Sequence, residues 1–141
     1  MRSVSDPAMA TGNAPTQRIT ILIVDDFDDS RQLYADFLTS CGFDVLEAAD
    51  GVGAIAKALE HRPSVVVMDL SLPVLDGREA TRRLKSDPRT GHIPIIALTG
   101  HTPTSSGPHK ALETGFDRFL AKPCLPDDLL ATVNEILAHA T

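Results

Sequence analysis

Ser64-Val65-Val66-Val67-Met68-Asp69-Leu70 is the stretch on which the reading of this chain turns. Its apolar run shows no alternation, which marks a strand buried on both faces, as in a parallel sheet covered by helices. The run ends on a carboxylate, Asp69, and an aspartate closing a fully apolar strand is costly unless it is paired or metal-bound. The pattern recurs outward along the chain. Ile19-Thr20-Ile21-Leu22-Ile23-Val24 closes on Asp25 and Asp26, Ile95-Ile96-Ala97-Leu98 closes on Thr99, and Phe119-Leu120-Ala121 closes on Lys122-Pro123. In an open parallel sheet such strand ends gather at one edge, where ligands bind. Three carboxylates gathered there repel one another unless a cation joins them. The sequence therefore points to a Mg²⁺ site built from Asp25, Asp26 and Asp69, with a hydroxyl and a lysine beside it.

Between these runs lie segments of helical period. Strands are expected over 18–24, 44–48, 64–68, 93–98 and 116–121. Helices are expected over 29–40, 51–61, 77–86 and 126–138. Asp28 or Asp29 supplies the first helix start and Gly42 its stop. Its inward residues are read as Leu33, Tyr34, Phe37, Leu38 and Cys41, those of the second helix as Val52, Ile55, Ala56 and Leu59. The last helix carries the stripe Leu129, Leu130, Val133, Ile136 and Leu137. Pro103, Gly107 and Pro108 exclude a long regular helix after Thr99, leaving a short one over 108–114 with proline at its first position and Gly115 after its end. Strands alternating with helices give a doubly wound five-stranded parallel α/β sheet, with right-handed crossovers that place helices on both faces.

A chain of 141 residues suits one domain with a real core. Residues 1–17, rich in Ser, Ala, Thr, Pro and Gly, read as a flexible tail, and 18–141 as the domain. The formal charge of −6 argues against a general nucleic-acid or membrane-surface role, and no apolar stretch is long enough to cross a bilayer. Cys41 and Cys124 form no metal spacing and no disulfide framework. They read as small buried or half-buried apolar residues in a reduced, cytoplasmic setting.

Four motifs in order, Asp25-Asp26, Met68-Asp69-Leu70-Ser71-Leu72-Pro73 with Asp76-Gly77, Leu98-Thr99-Gly100 and Lys122-Pro123, resemble the receiver domain of two-component response regulators. The resemblance spans about 18–138 and implies the flavodoxin-like (βα)5 receiver fold. It implies that Asp69 is the phosphoacceptor, attacking a phosphohistidine on a sensor histidine kinase or histidine phosphotransferase. It implies Mg²⁺ held by Asp69, directly by one acid of the pair and mostly through water by the other, in position Asp26 and Asp25, with the backbone carbonyl of Ser71 as a further ligand. Lys122 then pairs with Asp69 and afterwards with the phosphoryl group, and Thr99 turns its hydroxyl onto a phosphoryl oxygen. Thr99 and the strand-5 aromatic, here Phe119, form the switch read by a downstream protein target. Phe119 has no polar tip, so its coupling is expected to run through packing alone. Ser71 and His101 flank the path of the hydrolytic water; Ser71 leaves it open, while His101 either blocks it or hydrogen-bonds within it. The family's Lys-Pro step is usually cis. The segment from Thr102 to Pro108 departs from the regular helix common in the family, which puts the usual output surface in question.

Other readings compete. A haloacid-dehalogenase-type phosphatase also uses an aspartyl nucleophile with Mg²⁺, but it carries a second aspartate where this chain has Ser71. A pseudo-receiver would bind partners without phosphorylation, yet every expected site position is filled. A nucleotide-binding sandwich needs a Gly-rich loop after the first strand, where Asp25 and Asp26 stand. A calcium loop over the acidic run fails because Arg31 and Phe37 occupy the places of its central Gly and final acid. Asp28, Asp29, Asp44, Asp50, Asp87, Asp117, Asp127 and Asp128 read as caps, turns or solvated charges. His61, His92, His109 and His139 read as surface residues. The expectation is a stand-alone phosphoacceptor switch that catalyses its own modification, is not an enzyme on an independent substrate, and uses neither nucleic acid nor membrane.

Overall fold

A computed structural model describes residues 19–70, 77–99 and 115–139. Along the chain these form β1 (Thr20–Val24), α1 (Asp28–Ser40), β2 (Asp44–Ala48), α2 (Gly51–His61), β3 (Val65–Asp69), α3 (Gly77–Ser86), β4 (Ile95–Thr99), β5 (Arg118–Ala121) and α4 (Pro126–His139). The expected tail over 1–17 and the short helix over 108–114 lie outside the described residues. The strands form one five-stranded sheet in the order β2-β1-β3-β4-β5, and every pairing is parallel. The order reverses between β1 and β3, the switch point at which a doubly wound sheet leaves a crevice beyond its carboxyl ends.

Residues of β1, β3 and β4 are buried almost without exception, and alternate ones feed opposite layers. Leu22, Val24, Val66, Met68, Ile95 and Ala97 pack with Ala54, Ala58, Ala80 and Leu84 from α2 and α3. Ile21, Ile23, Val65, Val67, Ile96 and Leu98 pack with Tyr34, Leu38, Leu129, Val133 and Ile136 from α1 and α4. The unalternating sequence of β3 thus has its physical cause in two covered faces.

Several local expectations are corrected. Asp28 and Asp29 do not cap α1; Phe27 stands at the cap without a side-chain bond, and both acids lie in the first turn, where they favour the positive end of the helix dipole. Leu33 is 55% exposed and Cys41 is exposed, so neither belongs to the inward face of α1. On α2 the buried residues are Gly51, Ala54 and Ala58, whereas Val52 and Ala56 face outward. This helix lies against β1, β2 and α3, and its small side chains occupy that seam. Strand bounds shift by one or two residues, the ordinary uncertainty of element ends. Other readings stand. Asp50 caps α2 by accepting from the Gly53 amide at 2.7 Å, Gly42 follows α1 at φ 103°, and α4 buries Leu129, Val133 and Ile136. His61, His92 and His139 are exposed; His109 is outside the described residues.

Gly77 opens α3 directly behind the end of β3. A Cβ there would overlap the Asp69 carbonyl oxygen and lie 3.0 Å from Leu70 Cα and Met68 Cγ. The absence of a side chain lets α3 start against the strand that presents Asp69. No helix among the described residues is long and apolar enough to cross a membrane.

Candidate functional site

The carboxyl ends of β1, β3, β4 and β5 meet at one edge. Parallel register sets Asp69 opposite Leu98, one residue before Thr99, and sets Thr99 opposite Ala121, one residue before Lys122. Backbone bonds extend the ladder past the strands, from the Lys122 amide to the Thr99 carbonyl at 2.6 Å and from the Asp25 amide to the Ala48 carbonyl at 3.1 Å. The Lys122–Pro123 peptide is cis.

Asp25, Asp26 and Asp69 each offer a carboxylate oxygen within 4.8 Å of the others. Asp25 is fully buried, Asp69 is 1% exposed, and Asp26 is exposed. Lys122 Nζ donates to Asp69 Oδ2 at 3.0 Å and lies 3.8 Å from Asp25 Oδ2. Asp25 Oδ1 accepts from the Phe27 amide at 2.9 Å, while Oδ2 has no hydrogen-bond partner among the described residues. Burial pushes the Asp25 carboxyl above the usual carboxylate range; Asp69 adds to this, and the Phe27 amide and Lys122 oppose it. Among the described residues one ammonium thus pairs with two of the three clustered carboxylates. A buried oxygen without a hydrogen-bond partner among the described residues and a surplus of anionic oxygen ligands fit a hard divalent cation such as Mg²⁺.

Thr99 is 3% exposed at the end of β4. Phe119 is half-buried beside Ala97 and packs onto the layer shared with α2 and α3. Ser71 and His101, expected to tune hydrolysis, and the Ser71 carbonyl as a ligand all fall outside the described residues.

Two side chains to which the sequence assigned no role at the site reach this edge. Tyr34, buried on α1, donates to the Cys124 carbonyl at 2.8 Å and so ties the segment after Lys122 to the core. Its apolar spacing was legible, whereas the destination of its hydroxyl was not. Burial pushes the Cys124 thiol up, consistent with an inert core cysteine. Arg31, also on α1, donates to the Asp25 carbonyl at 2.8 Å, to Glu47 Oε1 at 3.0 Å and to Asp28 Oδ1 at 2.6 Å. Only the Asp28 pair, three residues apart on one helix, carries a signal in the sequence.

Residues 21–134 match the family model of the response regulator receiver domain. The polar-differentiation response regulator DivK of Brucella anthropi is 29% identical over 121 residues, spanning 86% of this chain and 98% of that protein. The structure of the chemotaxis protein CheY4 of Vibrio cholerae superposes with a TM-score of 0.81 at 31% identity, covering 85% of this chain and 99% of that one. The receiver domain of a sensor histidine kinase from Pseudomonas aeruginosa, solved with a magnesium ion coordinated in its active-site cleft, gives a TM-score of 0.79 at 31% identity, over 86% and 99% of the two chains. The chain belongs to the response regulator receiver domain family. It is a phosphoacceptor signalling switch of the two-component type.

Proposed function

We propose that Asp69 is the phosphoacceptor, that Asp25, Asp26 and Asp69 hold Mg²⁺, and that Lys122 and Thr99 bind the transferred group. The observation that carries this reading is the convergence of three carboxylates, two of them buried, at the sheet's carboxyl edge, with the Lys122 ammonium paired to the buried two. In the step itself an Asp69 oxygen attacks the phosphorus of a phosphohistidine. The P–N bond breaks, the imidazole leaves, and an acyl phosphate forms. Mg²⁺ held by Asp25, Asp26 and Asp69 would supply neutralisation of the negative charge gathered there.

The chain's own groups do the rest by position. Lys122, at 3.0 Å from Asp69 Oδ2, holds the carboxylate in place and then pairs its ammonium with a phosphoryl oxygen. Thr99, anchored through its carbonyl to the Lys122 amide, turns its hydroxyl onto the same group. Catalysis of this kind is mostly positioning and electrostatics. The donor is a sensor histidine kinase or a histidine phosphotransferase, and the modified form binds a downstream protein in the cytoplasm. The chain catalyses its own phosphorylation and dephosphorylation and turns over no separate substrate. Ser71 and His101 set the lifetime of the acyl phosphate.

Intact mass after incubation with acetyl phosphate tests this reading, with and without Mg²⁺, on the parent protein and on Asp69→Asn. The expected result is a Mg²⁺-dependent gain of one phosphoryl group in the parent and none in the variant. No gain from acetyl phosphate or from a panel of phosphorylated histidine kinases would overturn it in favour of a receiver that works unphosphorylated.

A further inference from the structure

Two of the site's three acids, Asp25 and Asp26, sit on a short turn, and a residue outside the site holds that turn. Asp25 follows the last residue of β1, and α1 begins at Asp28. Within the turn Asp25 Oδ1 accepts from the Phe27 amide at 2.9 Å, and the Arg31 amide donates to the Phe27 carbonyl at 3.0 Å. The Arg31 guanidinium spans the whole turn. Its Nη1 donates to the Asp25 carbonyl at 2.8 Å, its Nη2 to Asp28 Oδ1 at 2.6 Å and its Nε to Glu47 Oε1 at 3.0 Å. The Glu47 contact crosses to β2, the strand beside β1. The Arg31 side chain is only 16% exposed.

From this geometry we infer that Arg31 is a positioning residue for the metal acids: it fixes the Asp25 backbone so that Asp25 Oδ2 is presented to the cation. The inference rests on the Mg²⁺ reading proposed above and deepens it. Two carboxylates, Asp28 and Glu47, more than neutralise the single guanidinium charge, so Arg31 aims the ligands without bringing net positive charge to the site. A lysine offers a single ammonium and cannot span three separated acceptors in the plane of a guanidinium. Groups that orient metal ligands from outside the coordination sphere commonly change metal affinity by roughly 10–100-fold when removed.

The test is Mg²⁺ affinity, read as the concentration dependence of thermal stabilisation, on full-length parent, Arg31→Ala, Arg31→Lys and Glu47→Gln. Arg31→Ala and Arg31→Lys are each expected to weaken Mg²⁺ binding by about tenfold. Glu47→Gln, which loosens only the anchor on β2, is expected to weaken it less. Phosphorylation by acetyl phosphate should return to near the parent rate at saturating Mg²⁺, because no group that touches the phosphoryl has changed. Arg31 variants that fold and bind Mg²⁺ within twofold of the parent would overturn the inference. If Arg31→Ala fails to fold, Arg31→Lys and Glu47→Gln decide, and parent-like affinity in both overturns it. A parent protein that shows no Mg²⁺ stabilisation at all would overturn the metal reading itself, an outcome distinct from parent and variants binding alike.

Discussion

Asp25 holds a buried carboxylate whose ionised form the fold disfavours while no cation is bound. Its pKa is raised above the ordinary value of 3.8, first by burial and then by Asp69. Because the folded form binds this proton more tightly than the unfolded chain, the linked stability is full below 3.8 and is lost as pH rises through the raised pKa. At neutral pH without metal, Asp25→Asn should therefore raise the melting temperature, and its advantage should shrink as pH falls toward 3.8. With Mg²⁺ the order should reverse, since a ligand that binds only the folded state stabilises it by mass action and the variant has lost a ligand. Thermal unfolding over a pH series, with and without Mg²⁺, checks both signs. A variant less stable than the parent at pH 7 without metal would show that the Asp25–Lys122 attraction outweighs burial. Asp87 has the opposite sign: the Arg89 side chain beside it holds its carboxyl down to about 2. That surface pair adds stability above 3.8 and loses it as pH falls through about 2, by little, because solvent screens it.

At the scale of elements, α3 depends on one missing side chain. Gly77 lets its first turn lie against the Asp69 carbonyl, so Gly77→Ala must shift either the helix or the end of β3. Such overpacking costs about 1–3 kcal/mol. Denaturant unfolding should show that loss, together with slower phosphorylation, since the strand end that moves carries the acceptor; unchanged stability would mean that α3 tilts freely away. Asp76-Gly77 is therefore legible as a motif, but its reason lies in packing. The inward face of α2 was legible only in part: Ile55 packs on the core as read, but hydrophobicity alone ranks Val52 above Ala54 and Ala58. A helix seated closely on its neighbours buries the smaller residues instead. The last helix was read correctly because its large apolar residues fall on one face without a competing small-residue stripe.

For the molecule as a whole, the sheet order sets Thr99 on β4 next to β5, which carries Phe119. Phe119 reaches the layer shared with α2 and α3, so a change at the acid cluster has a packed route away from it. A phenyl ring has no polar tip, and coupling through it is by fit alone. Phe119→Ala should leave Mg²⁺-dependent phosphorylation intact while weakening discrimination between modified and unmodified forms by a binding partner. Pull-down or titration against the downstream target in both states measures this, and unchanged discrimination would place the switch elsewhere.

What the sequence determined by itself was the set of strands, their parallel arrangement, and the polar residues that close them. A strand covered on both faces must be apolar throughout, so Asp25, Asp69, Thr99 and Lys122 stand out at its end as groups that burial alone does not explain. What only the tertiary structure decided was that α2 turns its small residues inward, and which distant groups hold the site in place. Tyr34 meets the Cys124 carbonyl across 90 positions, and Arg31 meets Glu47 across 16. No local pattern encodes such pairs, because each contact exists only after the crossovers have brought separate strands and helices to the same edge.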